Sequence, residues 1–101
     1  MKTILRDGMR LEVAYDSVIP TKVLLDVGLS PISRLVYGLM SSMRTVDGVC
    51  RATNRELSQL LGISERSVGN SVRMLSRAKY VKVIYSRGGK RGTTKNVTIS
   101  V

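Results

Sequence analysis

Hydrophobic and polar positions alternate near both ends of this chain and recur every three or four residues through its middle. At the start, K-T-I-L-R-D-G-M-R-L-E-V-A-Y forms two alternating runs on either side of Asp7-Gly8. Asp-Gly suits a two-residue hairpin turn, because both central positions need positive φ. Such a turn sets Ile4 opposite Leu11 and puts Met9, Leu11 and Val13 on one face. A lone hairpin is marginal in water, so this one must pack on the domain or on a partner.

The period then lengthens. Pro20 at a first-turn position, followed by Val23, Leu24, Leu25 and Gly28, predicts one or two short helical turns. Ser30 as N-cap and Pro31 at the first helical position open a better helix. Its apolar stripe is Ile32, Leu35, Val36, Leu39, Met40 and Met43. Asp47-Gly48 closes the following connection, and Val49-Cys50-Arg51-Ala52 reads as a very short strand. Thr53 and Glu56 have the spacing of a capping box. The helix they start buries Leu57, Leu60 and Leu61 and stops at Gly62, where a left-handed residue costs least as glycine. Ile63 plugs the corner, and Ser64 caps a further helix whose inward residues are Val68, Val72 and Leu75, with Ser71 alongside. Gly69 inside that helix costs about 1 kcal/mol relative to alanine. It permits close approach either to the preceding helix or to a ligand.

After Lys79 the period falls to two. Val81, Val83 and Tyr85 alternate with Lys82 and Ile84, and Val97, Ile99 and Val101 with Thr98 and Ser100. Between these runs lies S-R-G-G-K-R-G-T-T-K, so the pattern is a β-hairpin with a long basic tip.

Composition changes the picture mainly through charge. The net charge is +10, unevenly placed. Residues 1–50 hold six Lys/Arg against five acids, or +1, and residues 51–101 hold eleven against two, or +9. A near-neutral half joined to a strongly basic half points to a scaffold presenting a face to a polyanion. Apolar content of 43% is that of a folded protein, and 101 residues make one domain. With four Tyr and neither Phe nor Trp, the core must be aliphatic and rich in methionine. No apolar run approaches the ~20 residues of a membrane span. The single Cys50 has no internal disulfide partner, and a reduced, cytoplasmic, nucleoid-associated setting is the expectation.

The helical wheel sharpens the charge argument. At 100° per residue, Arg66, Asn70, Arg73 and Arg77 fall within about 60° of one another, opposite Val68, Val72 and Leu75. Arginine pairs bidentately with guanine, and asparagine with adenine, along the major-groove edge. Thr53, Ser64, Ser67 and the backbone N–H groups at the helix starts suit phosphates. A solvated helix face is the bland alternative, but such faces mix signs and this one carries no acid.

From about Leu29 to Val101, the chain resembles winged helix-turn-helix domains of bacterial regulators and of phage and plasmid replication proteins. The resemblance rests on L-S-P-I-S-R-L-V-Y-G-L-M and on D-G-V-C-R-A-T-N-R-E-L-S-Q-L-L-G-I-S-E-R-S-V. Apolar Leu57, Leu61, Ile63 and Val68, small Ser58 and Gly62 match the family pattern; Ser71 departs from it, standing where an apolar residue is usual. The resemblance implies an α+β fold, a three-helix core with a C-terminal β-hairpin wing over 29–101. Residues 1–28 then form an N-terminal β-hairpin extension for packing or dimerisation. It also implies that the third helix reads the major groove, while Arg87, Lys90 and Arg91 of the wing meet flanking backbone or the minor groove.

Enzymatic chemistry finds little support. There is no histidine, Cys50 has no activating or zinc-binding companion, and G-G-K-R-G lacks P-loop spacing. Asp7, Glu12 and Asp16 alternate as a solvent-facing strand edge does. Met9, Met40, Met43 and Met74 read as core filler. The expectation is a sequence-specific double-stranded DNA-binding protein, without cofactor, acting as a homodimeric transcriptional regulator. Three alternatives stand beside it: a replication initiator of a mobile element, a phage-encoded inhibitor that grips a host protein or its nucleic acid, and an architectural protein that binds duplex without sequence preference.

Overall fold

The computed structural model describes residues 2–6, 9–13, 18–44, 48–87 and 93–99, with backbone alone for 2–6, 9–13, 85–87 and 93–95. Strands β1 (Lys2–Arg6) and β2 (Met9–Val13) pair antiparallel, with Ile4 opposite Leu11 and Arg6 opposite Met9. That register leaves Asp7 and Gly8 as the connection, although the turn itself lies outside the described residues. Helices α1 (Thr21–Leu24), α2 (Pro31–Ser42), α3 (Asn54–Leu61) and α4 (Glu65–Arg77) follow. Strands β3 (Val49–Cys50), β4 (Val81–Arg87) and β5 (Thr93–Ile99) form an antiparallel sheet in the order β3-β5-β4. The architecture is α+β, with four helices and this small three-stranded sheet.

Local chemistry sets most helix ends where the sequence places them. Ser30 Oγ accepts from the Ser33 N–H at 3.1 Å, with Pro31 next in line. Thr53 and Glu56 close a full capping box: Thr53 Oγ1 accepts from the Glu56 N–H at 3.1 Å, and Glu56 Oε1 from the Thr53 N–H at 2.9 Å. Gly62 ends α3 with φ +70°, and Ser64 Oγ caps α4 by accepting from the Ser67 N–H at 3.0 Å. One boundary differs from expectation. Pro20 is the residue before α1 rather than in its first turn, because its extended ψ of 143° keeps it outside the helix.

The core collects Val36, Tyr37 and Met40 of α2, Leu57 of α3, and Val68, Val72 and Leu75 of α4. Cys50, Ala52, Val81 and Val97 complete it from the sheet side, with Val83 and Ile99 packed against them. Val23 and Leu29 belong to the same cluster, so α1 and the turn after it are part of this core. Each fully buried aliphatic contributes roughly 1.5–3 kcal/mol over its exposed state.

The α2 stripe is the main correction. Ile32 and Leu35 are exposed (39% and 57%), while Ser33, Gly38 and Ser42 are buried beside Tyr37. The buried face is therefore rotated by roughly 80° from the one that hydrophobicity alone predicts. Hydrogen bonding makes this affordable. Ser33 Oγ lies 2.8 Å from Ser30 Oγ and donates to Met74 Sδ of α4 at 3.3 Å, while Ser42 Oγ donates to Leu39 O at 2.7 Å. A satisfied buried hydroxyl carries little net penalty, and tyrosine brings a large area inside. In α3, likewise, Ser58 is buried and Leu60 only half-buried; Ser58 Oγ donates to Arg55 O at 2.7 Å.

Strands β4 and β5 are longer than the alternation suggests. Pairing runs from Val81 opposite Ile99 out to Arg87 opposite Thr93, so Ser86, Arg87, Thr93, Thr94 and Lys95 are strand rather than tip.

Four further hydrogen bonds bind the ends of the core together. Tyr80 Oη donates to Asp26 Oδ2 at 2.7 Å, and Asp26 Oδ1 accepts from the Gly28 N–H at 2.9 Å. Arg34 Nη2 donates to the carbonyls of Asp26 and Leu29 at 2.8 and 3.1 Å. The Tyr80 bond and then the Gly28 N–H hold the Asp26 carboxyl below its ordinary 3.8; burial pushes the other way, and Arg34 adds a lesser downward pull. The same bond holds the Tyr80 phenol above its ordinary 10.0.

Two predictions follow from these termini. Gly62 and Lys79 are both left-handed, at φ +70° and +65°, and nothing lies within 4 Å of a Cβ built on Gly62. Gly62→Ala should therefore cost about 1 kcal/mol through backbone strain alone. Lys79→Gly should gain roughly 0.5–1 kcal/mol, the relieved strain less the added flexibility of glycine. Urea denaturation of both variants checks the opposite signs; equal signs would contradict the assignment. The second prediction concerns pH. A depressed carboxyl stabilises the fold above pH 3.8, and that contribution disappears as pH falls through its folded value. Asp26→Asn should thus be less stable than the parent at neutral pH, with the gap closing in acid below 3.8. A gap that stays constant with pH would sink this.

Candidate nucleic-acid interface

The core described above leaves one face of α4 outside it. Val68, Ser71, Val72 and Leu75 are buried, and Arg66, Asn70, Arg73 and Arg77 on the other side are all exposed. A 3.6-residue repeat cannot bury the first set without turning the second to solvent. Ser71 and Val72 share the interior, at 3% and 5% exposure, so the polar residue at 71 does not tip the helix out of the core. No acidic residue occurs after Glu65, which begins α4 and lies off to the side of the basic face.

α3 sits against the flank of this face. A Cβ built on Gly69 would lie 3.5 Å from Asn54 Nδ2, which brings the first residue of α3 alongside the second turn of α4. That distance is ordinary van der Waals contact, so packing against α3 does not by itself require glycine there. Thr53, just before Asn54, is exposed, and its hydroxyl oxygen is already engaged in the capping box. Ser64 is exposed at the start of α4, where its Oγ donates to Ser67 Oγ at 3.0 Å while accepting from the Ser67 N–H. Ser67 is half-buried, and its own hydroxyl proton is not used in that pair. These three residues thus do capping work, and any contact with an anion would be additional to it.

In the β4–β5 hairpin, the backbone of Arg87 is paired with Thr93 at the outer end. Lys90 and Arg91 lie outside the described residues. So do Asp7 and Asp16, two of the three acids that alternate along the N-terminal segment.

The structure adds exposed cations that helical periodicity does not single out. Arg51 and Arg55 flank the start of α3, and Lys79 and Lys82 follow the end of α4. Arg55 carries a usable signal, since it follows the Thr53 cap by two residues and so falls in the first turn of α3. Lys79 carries none, because a left-handed lysine after Arg77-Ala78 is not announced by residue type.

An open groove of about 320 Å³ runs beside the C-terminal end of α4, lined by Asp26, Gly28, Leu29, Met74, Arg77 and Ala78. Its carboxylate is already occupied by Tyr80 and Gly28. Among the described residues no three Cys, Asp or Glu side chains gather as metal ligands, and no helix is long and apolar enough to cross a membrane. No family model, curated protein or solved structure matches this chain.

Proposed function

We propose that the chain is a winged helix-turn-helix protein that binds double-stranded DNA in a sequence-specific way and acts as a transcriptional regulator. The observation that carries this reading is the face of α4 made by Arg66, Asn70, Arg73 and Arg77, exposed, acid-free and opposite a fully buried stripe. A helix of 13 residues with such a face has the size and donor set for a major groove. The order β3-β5-β4 supports the wing, because it places the β4–β5 hairpin directly after α4 and ties it to the core through β3. Arg87, Lys90 and Arg91 would then meet flanking phosphates or the minor groove.

One recognition helix reads only a few base pairs, so a homodimer on two half-sites is part of the proposal. A second copy needs a surface that is apolar and low in net charge. Leu24, Leu25 and Val27 after the hairpin, with Ile32 and Leu35 on α2, are exposed aliphatics of that kind. Between residues 18 and 35 the charges are Lys22, Asp26 and Arg34, or +1, which makes this the mildest approach for two chains of charge +10.

Selection of binding sites from random duplexes tests the reading. Changing Arg66, Asn70 or Arg73 to Ala should relax base preference at individual positions and cost about 1–3 kcal/mol each. Changing Lys90 and Arg91 should weaken all duplexes alike and flatten the salt dependence. With about six phosphates neutralised, the parent should lose affinity with a log–log slope near −5. A protein that enriches no sequence, or that forms a salt-resistant protein complex indifferent to Arg73→Ala, would overturn the reading.

A further inference from the structure

Two residues past the end of α4 stands a residue whose backbone costs the fold stability, and that residue is a cation. Lys79 has φ +65°, the one left-handed position among the described residues that is not glycine. Two backbone bonds hold it there: the Lys79 N–H donates to Ser76 O and the Tyr80 N–H to Leu75 O, both at 3.0 Å. Together they close the helix end with the paired 5→2 and 6→1 bonds that glycine serves best. The Tyr80–Asp26 bond anchors the next residue, so the chain has no easy route out of this conformation.

A lysine in this place needs a reason, since glycine gives the same turn without strain. Helix-end electrostatics is the first candidate, because a cation favours the last turn. Arg77 already occupies that turn, however, and the preference fades beyond it. Nor does the side chain serve the fold: it is exposed and makes no hydrogen bond or ion pair among the described residues. What distinguishes the position is its surroundings. Lys79 stands between exposed Arg77 and exposed Lys82, at the junction of α4 and the wing, in a stretch of sequence without any acid; the one acid brought near, Asp26, is bonded to Tyr80 and Gly28.

We propose that Lys79 is a phosphate-contacting residue, kept in a strained backbone position so that its ammonium meets the DNA backbone between the segments contacted by α4 and by the wing. A compact, strongly charged ammonium suits a phosphate, which is read as charge and not as sequence. This inference rests on the DNA reading above, and its test separates the two.

The experiment compares the parent with Lys79→Gly, Lys79→Asn and Lys79→Arg. Thermal melting is followed alongside binding to a mixed-sequence duplex, over salt from about 50 to 200 mM. Lys79→Gly should melt about 2–6 °C higher than the parent yet bind roughly three- to tenfold more weakly. Its salt slope should be shallower by about 0.9, the value for one lost phosphate contact. Lys79→Asn, neutral and tolerant of the left-handed region, should show the same binding loss, and Lys79→Arg should bind as the parent does. If the parent binds duplex and the Gly and Asn variants match it in affinity and slope, this inference is overturned and the DNA reading stands. A parent indifferent to duplex overturns both.

Discussion

The way α4 is seated decides what the rest of the surface can do. Val68, Val72 and Leu75 are committed to an aliphatic core shared with Val36, Met40 and Leu57, and a helix has only one rotation that satisfies them. Arg66, Asn70, Arg73 and Arg77 are exposed as a consequence. Truncating Leu75 or Leu57 in such a core costs about 2–5 kcal/mol, far more than a surface charge is worth, so packing dictates where the charge goes. The basic face is therefore presented on a rigid rod and not on a loop.

The junctions on either side of α4 convert that rotation into a fixed position. Gly62 reverses the chain in the left-handed region, Ile63 packs on the core, and Ser64 caps within two residues of the turn. At the far end, Lys79 and Tyr80 close the helix and lead straight into β4, while Asp26 ties Tyr80 to the turn after α1. The segment from Val23 to Leu29 is thus a structural part of the core, through buried Val23 and Leu29 and through the Arg34 bonds to Asp26 and Leu29 carbonyls. The sheet completes the frame, with Val81 of β4 and Val97 of β5 buried in the core.

Much of this was legible from residue types whose roles are local. Ser30-Pro31, the Thr53/Glu56 box, Gly62 and Ser64 all act within four residues, so their spacing reveals them. The Ile4–Leu11 register follows from the Asp7-Gly8 position for the same reason. The α4 stripe was legible because its two faces differ sharply in kind. In α2 they do not: Ile32 and Leu35 extend the apolar face of Leu39 and Met43 yet are exposed, and the Ser33 bond to Met74 of α4, which marks the buried side, forms only with the fold. The Tyr80–Asp26 contact spans 54 positions, and no local rule points to it. The left-handed Lys79 was hidden for a related reason, since tertiary closure and not residue preference puts it there. The length of β4 and β5 was masked by Thr and Lys, which read as loop in a Gly-rich context yet pair well at an edge.

A titration of isotope-labelled protein with a duplex bearing its preferred sequence, followed by backbone amide shifts, addresses the central claim most directly. The account predicts the largest changes along Glu65–Arg77 and in the β4–β5 hairpin, with the α1–α2 surface little affected. Shifts confined to α1 and the outer side of α2, or none at all on α4, would contradict it.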